Sequence, residues 1–167
     1  MTAALDRTIE IVEKLVVWLA AAGAMVILVQ MVWISYGVFT RYALNAPDRM
    51  VTEATALLLF PVAFAGLAFA LREDAYPKVT MITDRFPVSV RKGFAIINLA
   101  LMLGVGIFFA LAGIDAVFRT YASGASSEIL LWPRWAFWTP GAISLAVFAI
   151  YAALRLIRLV MTPAEEI

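Results

Sequence analysis

The chain has 167 residues, of which 64% are hydrophobic and only 15% charged, whereas a soluble domain is nearer half apolar and a quarter charged; a membrane protein is expected. A net charge of +1 leaves no basic field for nucleic acid. The absence of cysteine and histidine excludes disulfides and thiol redox chemistry, removes the commonest metal ligand and general base, and argues against most intramembrane redox enzymes and their cofactors.

Taken in chain order, residues 3–14 place Leu5, Ile9 and Val12 on one helical stripe, with Asp6, Arg7, Glu10, Glu13 and Lys14 mostly elsewhere. That pattern predicts a short amphipathic helix lying in the membrane interface. It is not expected to be a cleavable signal, because it is acidic and the apolar run behind it is too long. The first uncharged run, residues 15–40, is longer than a crossing needs, so it should tilt or project past the core. Trp18 and Trp33 lie toward its two ends.

Arg41 and Tyr42 follow the first run. Asn45 can then cap, and Pro47 can start, the next helix, with Asp48 at its positive end. The second uncharged run, residues 54–71, is the shortest and barely spans by itself. Glu53 stands just outside it. Arg41 and Glu53 either pair where the two helices emerge or belong to a solvated turn. Pro61 removes one backbone bond and leaves the carbonyl of Leu57 without its donor, which predicts a kink.

Arg72 ends the second run. Residues 77–86 carry Val79, Ile82 and Phe86 at i, i+3 and i+7, predicting a second helix in the interface plane; ordinary connecting loops are the alternative for both such segments. Pro87 should open the third helix, whose uncharged run covers residues 93–114. Asp115 and Arg119 are spaced for a helical ion pair, so this helix should continue past the membrane. A loop, YASGASSE, comes next. Trp132, Trp135 and Trp138 crowd the start of the fourth uncharged run, residues 135–154. They suit an aromatic belt, and Arg155 and Arg158 at the far end suit snorkelling to headgroups.

The predicted fold is therefore an all-α integral membrane protein. It is a single domain over residues 1–167, with four transmembrane helices and short amphipathic interfacial helices. Each run can cross a ~30 Å hydrocarbon core at ~1.5 Å per residue. Helices are required, because an unpaired backbone group in lipid costs several kcal/mol. With both termini inside, nine lysines and arginines lie in the cytoplasm and four outside, so the N- and C-termini are expected to be cytoplasmic.

The span interiors hold little chemistry: Gln30 and Ser35, Pro61, Asn98 near an end, then Thr139 and Ser144. No carboxylate, lysine or arginine lies at mid-depth. An ion-coupled pump or a small exporter normally needs such a group on its pathway. Gln30 suits a bond between helices. Pairs of small residues, such as Ala20 with Ala24, Gly66 with Ala70, Ala142 with Ala146 and Gly104 with Gly106, suit close packing, within the bundle or against a partner.

Val38, Phe39, Arg41, Tyr42, Asn45, Pro47 and Glu53, followed by Gly66, Arg72, Phe86–Pro87, Trp132–Pro133 and Pro140–Gly141, together resemble the small membrane subunit of tripartite ATP-independent periplasmic (TRAP) transporters, the DctQ-like family. The resemblance covers nearly the whole chain, and its specificity lies in the order of short motifs. Departures stand at Met50 (often Trp), Tyr76–Pro77 (commonly His–Ile) and Thr80 (frequently Asp). The resemblance implies a multi-pass protein of a bacterial or archaeal cytoplasmic (inner) membrane. It would be a non-catalytic scaffold that braces a large membrane subunit as a heterodimer. The large subunit would carry an organic acid, delivered by a periplasmic substrate-binding protein, with coupling sodium; no cofactor is implied in the small one. Arg41, Tyr42, Glu53 and Arg72 are then candidates for the subunit interface or for lipid headgroups. A free-standing oligomeric four-helix channel or exporter is the alternative, and it would need a polar stripe through the bilayer.

Overall fold

A computed structural model describes residues 2–46, 48–76 and 86–162. Among these residues five helices follow in order: α1 (Thr2–Ala43), α2 (Arg49–Ala65), α3 (Leu67–Arg72), α4 (Val88–Ala122) and α5 (Arg134–Met161). Among the described residues there is no strand, only an isolated bridge between Ser126 and Pro133. Four helical stretches among the described residues are long and apolar enough to cross a membrane, α2 and α3 counting as one over Arg49–Arg72. They are parted at Gly66 alone, whose φ of −90° and ψ of −9° stay right-handed and whose carbonyl still accepts from the Ala70 amide at 2.9 Å.

The second span starts well before its uncharged run. The Asp48 side chain accepts the Met50 amide at 2.8 Å, which satisfies one of the orphan donors at the helix start. The third spanning helix begins directly after Pro87 and runs through Ala122. The expected Asp115–Arg119 pair forms at 2.8 Å on this extension. Both partners are exposed, so it contributes at most about 0.5 kcal/mol.

The separate interfacial helix expected over residues 3–14 is replaced by the first turns of α1, one continuous helix of 42 residues. No proline interrupts it, and it is roughly 60 Å long at ~1.5 Å per residue, about twice the hydrocarbon thickness. Its apolar stripe has a different partner from the one the sequence suggested. Ile9 and Val16 are 4% and 0% exposed, in a cluster with Leu71, Phe148, Tyr151 and Ala152. The bundle itself, not a lipid interface, covers the stripe. The second interfacial helix, residues 77–86, lies outside the described residues apart from Phe86.

Helix α5 is the hub, packed against α4, α2, α1 and α3. Within a bilayer, lipid tails are as apolar as leucine, so close packing decides which helix faces meet. Gly141 in α5 illustrates this: a Cβ there would run into the Phe60 ring of α2. Phe60 is itself wedged between Phe64, with ring centroids 4.9 Å apart, and Trp138, at 4.3 Å.

Gln30 and four hydroxyls inside the spans are satisfied within the bundle. Gln30 donates to the Thr55 carbonyl of α2 at 3.3 Å, the interhelical bond anticipated for it. The hydroxyls of Ser35, Thr55, Thr139 and Ser144 each donate to the carbonyl four residues back in their own helix, at 2.7–2.9 Å.

Candidate functional site

Polar interactions gather at the two ends of the bundle. The loop end holds residues 41–46, 48–53 and 119–134; the terminal end holds residues 5–16, 71–76, 92–99 and 151–162.

At the loop end the α4–α5 connection is tightly folded. Gly124 and Leu131 both adopt left-handed φ values, +63° and +55°. The Ser127 amide donates to the Trp132 carbonyl at 2.9 Å, the Trp132 amide to Ser127 Oγ at 3.0 Å, and the Arg134 amide to the Ala125 carbonyl at 3.0 Å. This fold turns three successive amides toward α2, where the Glu53 carboxylate receives them. Oε1 accepts from Glu128 at 2.6 Å and Ile129 at 3.1 Å; Oε2 accepts from Ile129 at 3.1 Å and Leu130 at 2.7 Å. Consecutive amides of this kind form an anion nest, and bonds to an ionised acceptor are stronger than neutral ones. Leucine at positive φ is costly and persists only where its surroundings hold it. The Glu53 clasp, one residue away, does that.

The suggested approach of Arg41 to Glu53 is not observed. The carboxylate is committed to the loop, and Arg41 makes no ion pair among the described residues. Arg41 lines a shallow groove with Gly37, Asp48 and Thr55, beside a Tyr42 that is 77% exposed. Of the tryptophans near the fourth span, Trp132 stacks on Phe137 with centroids 5.8 Å apart, and Trp135 meets Tyr121 edge-on at 5.8 Å. Both keep exposed surface. Trp138 instead turns inward onto Phe60.

At the terminal end the buried Tyr151 donates its hydroxyl to Glu13 Oε1 at 2.9 Å. Arg72 places Nε 3.9 Å from Glu13 Oε2 and an Nη 2.8 Å from Glu73, so it ties the end of α3 to α1. Arg155 turns inward: its guanidinium lies 6.0 Å from the Tyr151 ring centre, donates to the Leu71 carbonyl at 3.2 Å, and sits 3.6 Å from Asp74. A cation at the last carbonyls of α3 is well placed against the helix dipole. Where snorkelling was expected of Arg155, the Leu71 carbonyl and the Asp74 carboxylate of the bundle itself hold its guanidinium. Arg158 stands 3.8 Å from Asp6, with a side chain 59% exposed. Lys92 donates to the Thr162 carbonyl, joining α4 to the end of α5.

Tyr76, one of the departures, has a defined place. Its hydroxyl donates to the Leu67 carbonyl at 2.9 Å, and its ring lies 6.5 Å from that of Phe148. Partial burial pushes its phenol above the usual value. The nest around Glu53 escapes sequence reasoning because its donors are backbone amides, which every residue except proline has. The only hint is an acid next to an apolar run, with a Gly/Ser-rich loop elsewhere in the chain.

A family model described as "Tripartite ATP-independent periplasmic transporters, DctQ component" matches residues 30–162. No curated protein and no solved structure gives a match.

Proposed function

The chain belongs to the DctQ family and is a multi-pass inner-membrane component of a TRAP transporter; from that premise we propose that it is the non-transporting brace of a sodium-coupled importer. A large membrane subunit carries the substrate, an organic acid handed over by a periplasmic binding protein, and this chain holds that subunit in the bilayer. It performs no catalysis. Both termini face the cytoplasm and the loop end faces the periplasm, as the lysine and arginine distribution favours.

One observation carries this reading. The middle of every span lacks an ionisable side chain, and the hydroxyls at that depth are bonded to their own helices. A carrier or channel needs a polar path through the same region. What the bundle offers instead is two clasps that rigidify its ends and large apolar outer faces on α1 and α4. Rigidity with an apolar flank suits a brace.

The test is reconstitution. The chain should co-purify in detergent with the large membrane protein encoded alongside it. Vesicles holding this chain alone should show no sodium-driven uptake of an organic acid, and uptake should appear once the large subunit and the binding protein are added. Uptake by this chain alone would overturn the reading.

A further inference from the structure

The terminal end contains an open cavity of about 460 Å³ lined by α1, by the end of α3 and the turn after it, by α4 and by α5. Its lining has two zones. On the side of the buried core it is apolar, with Leu71 and, packed against the same cluster, Leu99 and Met102 of α4. At the mouth stand two guanidiniums, Arg155 and Arg158, and two carboxylates, Glu13 and Asp74.

The volume equals that of roughly fifteen waters at ~30 Å³ each. Water held inside a protein needs two to four polar partners per molecule, and the side chains of Leu71, Leu99 and Met102 supply none. An apolar floor is best filled by hydrocarbon. The mouth is balanced between two positive and two negative groups, so it complements a headgroup carrying both signs. Arg158 has the spare donors. Its one ion-pair contact among the described residues is through Nε to Asp6, which leaves the outer fork of the guanidinium, the part that matches phosphate oxygens. Asn98 lines the same cavity roughly 9 Å along α4 from Lys92, at ~1.5 Å per residue. Its amide has no hydrogen-bond partner among the described residues, an arrangement that an ester carbonyl at that depth would satisfy.

We propose that this cavity is a binding site for one glycerophospholipid with a zwitterionic amine–phosphate headgroup. An acyl chain runs between α4 and α5 down to Met102. The phosphate rests on Arg158, the ester region lies at Asn98, and the ammonium faces Asp74 and Glu13. The site stands whichever partner the bundle braces, because every group in it belongs to this chain.

The experiment is native mass spectrometry of the full chain released from nanodiscs containing equal amounts of phosphatidylethanolamine and phosphatidylglycerol. The wild type should retain one phosphatidylethanolamine per chain through delipidation. Arg158→Gln should weaken retention by about tenfold. Leu99→Trp, which fills the floor and leaves every charge in place, should also displace the lipid, with helical content unchanged by circular dichroism. Equal retention in the wild type and both variants would mean annular lipid only and would overturn the proposal. So would a preference for phosphatidylglycerol, equal competition by tail-free glycerophosphoethanolamine, or loss of the lipid when the large membrane subunit binds.

Discussion

Tyr151 and Glu13, 138 residues apart in sequence, share a 2.9 Å hydrogen bond at the terminal end of the bundle. The tyrosine is fully buried in the central helix, and the glutamate belongs to α1. The phenol therefore has no water to turn to, and the bond holds the long first helix in register with α5.

That geometry orders two substitutions. Tyr151→Phe removes the donor with its hydroxyl and should cost about 1 kcal/mol or less, the usual worth of such a bond in a membrane protein. Glu13→Ala strands the buried hydroxyl and should cost more, about 1–3 kcal/mol. Equilibrium unfolding in mixed micelles measures both, and the reverse order would contradict the assigned pairing.

Glu53→Gln replaces two acceptor oxygens by one and removes the charge, so the nest of Glu128, Ile129 and Leu130 amides loses its filling. Hydrogen exchange at these three positions should quicken on the order of tenfold as local opening becomes easier. Arg41→Ala should leave them unchanged, because Arg41 has no part in the clasp. Equal exchange in all three proteins would remove the clasp from the account of this end.

Gly141→Ala sets a methyl group against the Phe60 ring, which Phe64 and Trp138 hold in place. Overpacking of this sort costs about 1–3 kcal/mol. Gly104→Ala is the comparison: nothing lies within 4 Å of a Cβ there, and alanine favours helix by about 1 kcal/mol over glycine. Thermal unfolding should lower the midpoint for the first and hold or raise it for the second. Phe60→Leu should recover part of the loss at Gly141.

The chain contains no cysteine, so a single introduced thiol reports topology cleanly. Ser126→Cys, at the loop end, should react with a membrane-impermeant maleimide on intact spheroplasts. Glu10→Cys, at the terminal end, should react only after permeabilisation. The opposite pattern would invert the proposed orientation.

The gross architecture was legible from hydropathy because lipid imposes it. A chain this apolar must satisfy its backbone within helices, so the number of spans and the extension of α4 past Ile114 followed from uncharged runs and one i,i+4 pair. The internal bonding of Gln30 was legible for the same reason, since a lone amide in hydrocarbon seeks a neighbouring helix.

Side-chain partners were not legible in that way. The Leu5–Ile9–Val12 stripe would be satisfied equally by a lipid interface or by another helix, and only the packing of Val16 beside Tyr151 and Leu71 decides for the bundle. Arg155 has the same ambiguity: headgroup phosphates and the carbonyl of Leu71 both attract a guanidinium, and its position above Tyr151 selects the carbonyl. Glu53 was singled out by its place beside an apolar run, yet its partners are three backbone amides from a loop 75–77 residues away. Solvent preference is a property of each residue and survives in the one-dimensional string. The direction of an amide or a guanidinium depends on where the rest of the chain has come to lie, and that exists only once the helices have packed.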